Sequence, residues 1–171
     1  MRKIVITGPE SSGKTTIAKQ IASHYKVPLV GEYARSYLNK LGRAYTQADL
    51  LEIAKGQIEL ENQALTMSNG WVVCDTSLEV IKIWSDYKYK ACDPFILDAL
   101  TNRLPDVYLL MTPDLLWEYD PLRENSLNRD ELFQLYKKEL TKLTVPFYNI
   151  SGKGQIRFSM AQTVIDNLLL Q

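Results

Sequence analysis

Only two cysteines, Cys74 and Cys92, and a single histidine, His24, occur among the 171 residues. The cysteines have no metal-ligand spacing around them. They read as reduced packing residues rather than a disulfide, a usage that suits the cytosol. His24 ends an apolar-periodic stretch and reads as a solvated residue near a helix end, not as an acid or base. Neither sign of charge is in excess: Lys plus Arg number 20 and Asp plus Glu number 20. A zero net charge gives no footprint for nucleic acid or an anionic membrane, so any positive field must be local. No apolar stretch approaches ~18 residues, which argues against a membrane span. The first strand begins almost at the first residue and leaves no room for a signal peptide. Repeats, linkers and low-complexity runs are also missing. What remains is a chain of one-domain length, 46% hydrophobic and 23% charged, which is the balance of a globular α/β core. The expectation is one domain over residues 1–171.

The strongest positive signal is Gly8-Pro9-Glu10-Ser11-Ser12-Gly13-Lys14-Thr15. It fits G-x-x-x-x-G-K-[ST], the phosphate-binding P-loop. Glycines at both ends let the backbone close into a ring of inward amides, a concave anion site. Lys14 would reach the β- and γ-phosphates, and the Thr15 hydroxyl would hold Mg²⁺. The nucleotide-binding set is Gly8 to Thr15 with Thr16. The context is right. Lys3 to Thr7 is a β-branched apolar run, and Ile17, Ala18, Ile21, Ala22 and Tyr25 recur at helical spacing after the loop. The expected cofactors are therefore ATP and Mg²⁺.

Further along, Val27–Val30, Trp71–Cys74, Asp106–Met111 and Phe147–Ile150 read as strands. Helices are expected over Thr46–Ser68, about 77–87, 94–103, from Asn128 with a capping box to Glu131, and over Met160–Leu170. Asp120-Pro121 suggests another helix cap. Alternation of strand and helix predicts a three-layer P-loop NTPase fold, nucleoside-kinase-like, with a mainly parallel five-stranded sheet and a small lid over about 119–129. Ligands in such sheets lie at the carboxyl ends of the strands. The P-loop, Glu32, Asp75 and Thr112 fall there.

Asp75 ends a buried-type strand, where P-loop proteins place a second Mg²⁺ support; a helix N-cap is the alternative reading. Thr76 follows it, not the water-activating glutamate of hydrolytic P-loop machines. Asn-Lys-x-Asp and Asp-x-x-Gly, the guanine signatures, are absent. This favours transfer to a bound acceptor. Glu32 could take a proton from an acceptor hydroxyl, with Asp75 the rival for that role. Tyr33 could stack on a ring, and Arg35 could pair with Glu32 or a phosphate; a surface ion pair is the bland alternative. Arg123 and Arg129 occupy a lid position, Arg123 being preferred as the catalytic arginine. Trp84 and Gln57 complete the candidate acceptor set.

Five segments together resemble the nicotinamide riboside kinase domain of the bifunctional NAD-biosynthesis regulator. They are Gly8 to Lys14, Glu32-Tyr33-Ala34-Arg35, Ala54-Lys55-Gly56-Gln57, Cys74-Asp75-Thr76 and Trp117 to Arg123. The resemblance implies transfer of the ATP γ-phosphate to the 5′-hydroxyl of nicotinamide riboside, a small-molecule partner. Two departures stand out. The chain has no His-x-Gly-His motif for adenylyl transfer. Ser77 stands where the family commonly carries a further Asp. A kinase for another nucleoside or nucleotide, or a nucleotide-gated regulatory NTPase, remains the alternative.

Overall fold

A computed structural model describes residues 2–121 and 128–170. In chain order the elements are β1 (Arg2–Thr7), α1 (Lys14–Tyr25), β2 (Leu29–Val30), α2 (Tyr33–Leu41), α3 (Gln47–Met67), β3 (Trp71–Asp75), α4 (Leu78–Tyr89) and α5 (Pro94–Asn102). β4 (Val107–Met111), α6 (Arg129–Lys142), β5 (Phe147–Ile150) and α7 (Gln155–Leu169) follow. The described strands form one sheet in the order β2-β3-β1-β4-β5, and every pairing is parallel. The expected P-loop kinase-like α/β fold is therefore present.

The strand sequences explain the topology. Ile4, Val5 and Ile6 of β1, and all five residues of β4, are buried. Strands covered on both faces read as continuous apolar runs, as parallel sheets require. Alternate residues feed opposite layers. Ile4, Ile6, Val73, Leu109 and Met111 pack with Ile17, Ile21, Ala161 and Ile165 of α1 and α7. Val5, Val72, Cys74, Tyr108 and Leu110 pack with Ala64, Val80, Ile83, Tyr136 and Leu140 of α3, α4 and α6. A third cluster joins Leu50, Ile53 and Ala54 to Leu78, Ile81, Ile96 and Leu100, and it builds the floor beside the site.

Several boundaries differ from the sequence reading. The second strand shrinks to Leu29–Val30, because only this dipeptide pairs with Val73 and Cys74. Helix α2 was not foreseen. It is short and has no fully buried residue, but Tyr33, Ala34, Tyr37 and Leu38 form one apolar face that packs on the third cluster and on α3. Asn128 is the N-cap of α6, but its side chain makes no capping hydrogen bond, so the expected capping box is not formed. The capping box occurs elsewhere: Thr46 and Asp49 exchange side-chain bonds to backbone at the start of α3. The helix expected after Asp120-Pro121 lies outside the described residues.

Candidate active site

The P-loop connects β1 to α1. Gly8 has φ +135° and its added Cβ would stand 2.7 Å from the Met111 carbonyl oxygen, so β4 is in contact with the loop backbone there. Gly13 has φ +81° and caps α1, with no side chain bonded to the first-turn amides. Helix N-terminal amides and the positive end of the helix dipole suit an anion. The loop braces itself: Ser12 Oγ and Lys14 Nζ each donate to the Pro9 carbonyl, both at 2.8 Å.

At the carboxyl end of β3, Asp75 Oδ2 accepts a 2.6 Å hydrogen bond from Thr15 Oγ1. Asp75 is buried, and its Oδ1 has no hydrogen-bond partner. One hydroxyl and one carboxylate with an unspent oxygen beside a phosphate loop are hard donors suited to Mg²⁺, which keeps waters and phosphate oxygens as its other ligands. Thr15 and Asp75 could thus hold the ion. The alternative reading of Asp75 as a helix cap fails, since the N-cap of α4 is Ser77.

A cavity of about 580 Å³ is lined by Gly8 to Thr16 of the P-loop together with Glu32, Arg35 and Thr76. Leu38, Ala44, Tyr45, Ile53, Ile81 and Trp84 line the same cavity and make much of its wall apolar. Glu32 is the N-cap of α2 and opens on the cavity on one side. Protein packed around its other sides raises its carboxyl above the usual range. Lys14 and Arg35 oppose that rise, while Asp75 and Asp120 add to it. Arg35 is exposed and pairs with Asp120 at 2.9 Å, not with Glu32. Arg129 lies at the loop: its guanidinium donates to the Leu115 carbonyl at 2.9 Å and the Ser11 carbonyl at 3.4 Å. Arg123 lies outside the described residues.

Two expected acceptor contacts are corrected. The Tyr33 ring does not line this cavity; it packs on Gly56, where an added Cβ would be 2.1 Å from Tyr33 Cε1, and it borders a separate small depression with Tyr37. A helix starting at Tyr33 points that side chain back toward α3. Gln57 is also off the wall. It is buried, and its Oε1 accepts from the Tyr33 backbone N–H at 2.9 Å, satisfying one of the free amides of α2 just after Glu32. Gln57 thus bonds the residue that follows Glu32. Trp84 does line the cavity.

Arg157 was missed from the sequence. It is buried, lowered in pKa by that burial, and its guanidinium donates to the carbonyls of Ser12, Thr112 and Gly152 and to Asp114. It ties the P-loop to the turns after β4 and β5. An arginine inside a helical pattern carries no local signal of such a role.

A family model described as an AAA domain matches residues 3–157. The chain belongs to the AAA domain family. It is 26% identical over 157 residues to the trifunctional NAD biosynthesis/regulator protein NadR of Escherichia coli (strain K12), covering 88% of this chain and 38% of that protein. The chain thus spans well under half the length of this curated relative. Among solved structures, NadR in complex with NR superposes with a TM-score of 0.87 at 18% identity, over 97% of this chain and 51% of the other. Deoxyadenosine kinase from M. mycoides superposes with a TM-score of 0.67 at 14% identity, over 96% and 99%. The family resemblance read from the five sequence segments is borne out, and the fold is that of P-loop nucleoside kinases.

Proposed function

We propose that this protein is an ATP-dependent kinase that phosphorylates the 5′-hydroxyl of nicotinamide riboside to give nicotinamide mononucleotide. The observation that carries the reading is that one cavity is lined both by the phosphate loop and by apolar and aromatic side chains including Trp84 and Tyr45, with Glu32 on its wall within electrostatic reach of Lys14 and Asp75. A transferase needs both ligands in one enclosure with a proton acceptor at the junction.

The roles follow from the geometry. The amides at the start of α1 and the Lys14 ammonium hold the triphosphate and offset charge that develops on it during transfer. Thr15 and Asp75 would hold Mg²⁺, which would offset the negative charge of the triphosphate during transfer. Glu32 takes the proton of the attacking hydroxyl. Burial that lifts its carboxyl toward neutral pH makes it a stronger base than an ordinary surface glutamate. Asp75 is the weaker candidate, because one oxygen is already committed to Thr15. Arg123 is proposed to approach the transferred phosphoryl group from the lid, with Arg129 buttressing the loop through Ser11. Arg35, on the cavity wall, is oriented by its ion pair with Asp120. The two free cysteines fit a reducing, cytosolic compartment.

The test is a panel of ribosides assayed for ADP release and phosphorylated product. Nicotinamide riboside should outperform adenosine, cytidine and uridine. Better use of an ordinary nucleoside would keep the kinase and discard this acceptor. ATP turnover that ignores every acceptor would favour a nucleotide-gated regulator.

A further inference from the structure

The cavity wall contains an unusual residue. Four non-glycine residues have positive φ among those described, and Thr76, at +69°, is the β-branched one. Threonine in this region is strained, because its branched Cβ crowds the backbone. The strain falls between Asp75 and Ser77, directly after the strand that delivers the candidate metal ligand. Something must hold it.

Two restraints are visible. On one side the Thr76 N–H donates to the Ile6 carbonyl of β1 at 2.9 Å. On the other side two buried carboxylates grip Ser77. Ser77 Oγ donates to Glu61 Oε1 at 2.5 Å, and its backbone N–H lies 3.3 Å from Glu79 Oε1. Glu61 is wholly buried on α3. Its second oxygen is taken by Lys3 Nζ at 2.9 Å, and that ammonium also donates to the Arg103 carbonyl at 2.7 Å. A buried, paired carboxylate of this kind contributes little to stability compared with an apolar side chain of the same volume. Its bonds are instead directed at one backbone position, two residues from Asp75.

We infer that Glu61 is a positioning residue: through Ser77 it holds Thr76 in the left-handed backbone and so keeps the Asp75 carboxylate on the Thr15 hydroxyl. Lys3 fixes Glu61, Glu61 fixes Ser77, and the turn fixes Asp75. The serine that departs from the family's usual aspartate is turned away from the cavity into this chain of bonds. The inference rests on the nucleotide-binding part of the function proposed above.

The test measures binding, not turnover. A fluorescent ATP analogue is titrated with and without Mg²⁺, and the ratio of affinities reports the metal end of the site. Ser77→Ala should lower that ratio by about tenfold, the usual scale for losing a residue that orients a metal ligand, while metal-free binding stays near wild type. Ser77→Thr should retain it. Adding Thr76→Gly to Ser77→Ala should restore it, because glycine adopts the left-handed backbone unaided. An unchanged ratio in folded Ser77→Ala overturns the inference, and so does failure of Thr76→Gly to rescue. If Ser77→Ala does not fold, the double variant alone decides: a wild-type ratio supports the chain of bonds and a low one refutes it. Wild-type protein that shows no Mg²⁺ effect on nucleotide affinity would instead sink the nucleotide reading itself.

Discussion

Replacing Glu79 by glutamine should make the protein more stable at alkaline pH and leave it nearly unchanged in acid. Glu79 is 2% exposed. Burial pushes its carboxyl up from 4.5 to about 7, and the nearby charge of Glu61 adds to the rise. The Thr7 hydroxyl beside it offsets part of the effect, yet Thr7 Oγ1 and Glu79 Oε2 both lack a well-formed hydrogen bond. The sign follows from proton counting. Between the unfolded and folded values the native state binds the extra proton, so stability falls as pH rises through that window. A rise of roughly 2.5 units corresponds to about 3 kcal/mol in full, of which about 2.5 kcal/mol is lost between pH 5 and pH 8. Glu79→Gln removes the titration. Urea unfolding followed by tryptophan fluorescence at both pH values should therefore show the variant gaining on wild type by that amount. With a slope of about 2 kcal/mol/M, the relative midpoint should move by roughly 1 M. Parallel pH profiles for the two proteins would refute the reasoning and place the Glu79 carboxyl in contact with water or a cation.

The sheet and the phosphate loop were legible because their signals are local. Buried parallel strands are written as apolar runs, and the P-loop needs glycines and a lysine at fixed spacing within eight residues. Asp75 was legible as the polar end of such a run. The acceptor side was less so, because its side chains are chosen by helix rotation, not by sequence neighbourhood. Tyr33 follows Glu32 in the chain, yet the first turn of α2 sends the two in different directions, one to the cavity and one to Gly56. Gly56 and Gln57 take their reason from α2, which seats Tyr33 on Gly56 and gives its first amide to Gln57, contacts between helices that no local pattern reports. Lys3 meets Glu61 across 58 positions and Arg157 meets Ser12 across 145, and no spacing rule reports such contacts.

Lys14→Ala should abolish detectable phosphoryl transfer, since a site built on charge stabilisation loses its point charge on the phosphates; near-normal turnover would remove the P-loop assignment. Glu32→Gln should cut the saturated rate by roughly 10²-fold with nucleotide affinity little changed, whereas Asp75→Asn should also weaken Mg²⁺–nucleotide binding; a normal Glu32→Gln beside a dead Asp75→Asn would exchange the two roles. Trp84→Ala should raise the acceptor Michaelis constant several-fold, a stacking contact being worth about 1 kcal/mol, and an unchanged constant would move the ring site elsewhere in the cavity. Gly56→Ala tests the placement of Tyr33. Alanine favours a helix interior over glycine by about 1 kcal/mol, so an unobstructed site should be stabilised. Here the new methyl meets the Tyr33 ring at 2.1 Å, so either the ring leaves its seat or α2, whose first amide is bonded to Gln57 on the same helix as Gly56, must shift. Overpacking of this kind costs about 1–3 kcal/mol and is relieved by displacing α2. Glu32 caps that helix, so Gly56→Ala should lose both stability and maximal rate while retaining metal-free nucleotide affinity, and Tyr33→Ala in the same chain should recover part of each. A stable, fully active Gly56→Ala would mean that the Tyr33 ring is not seated against α3, and would return it to the acceptor site.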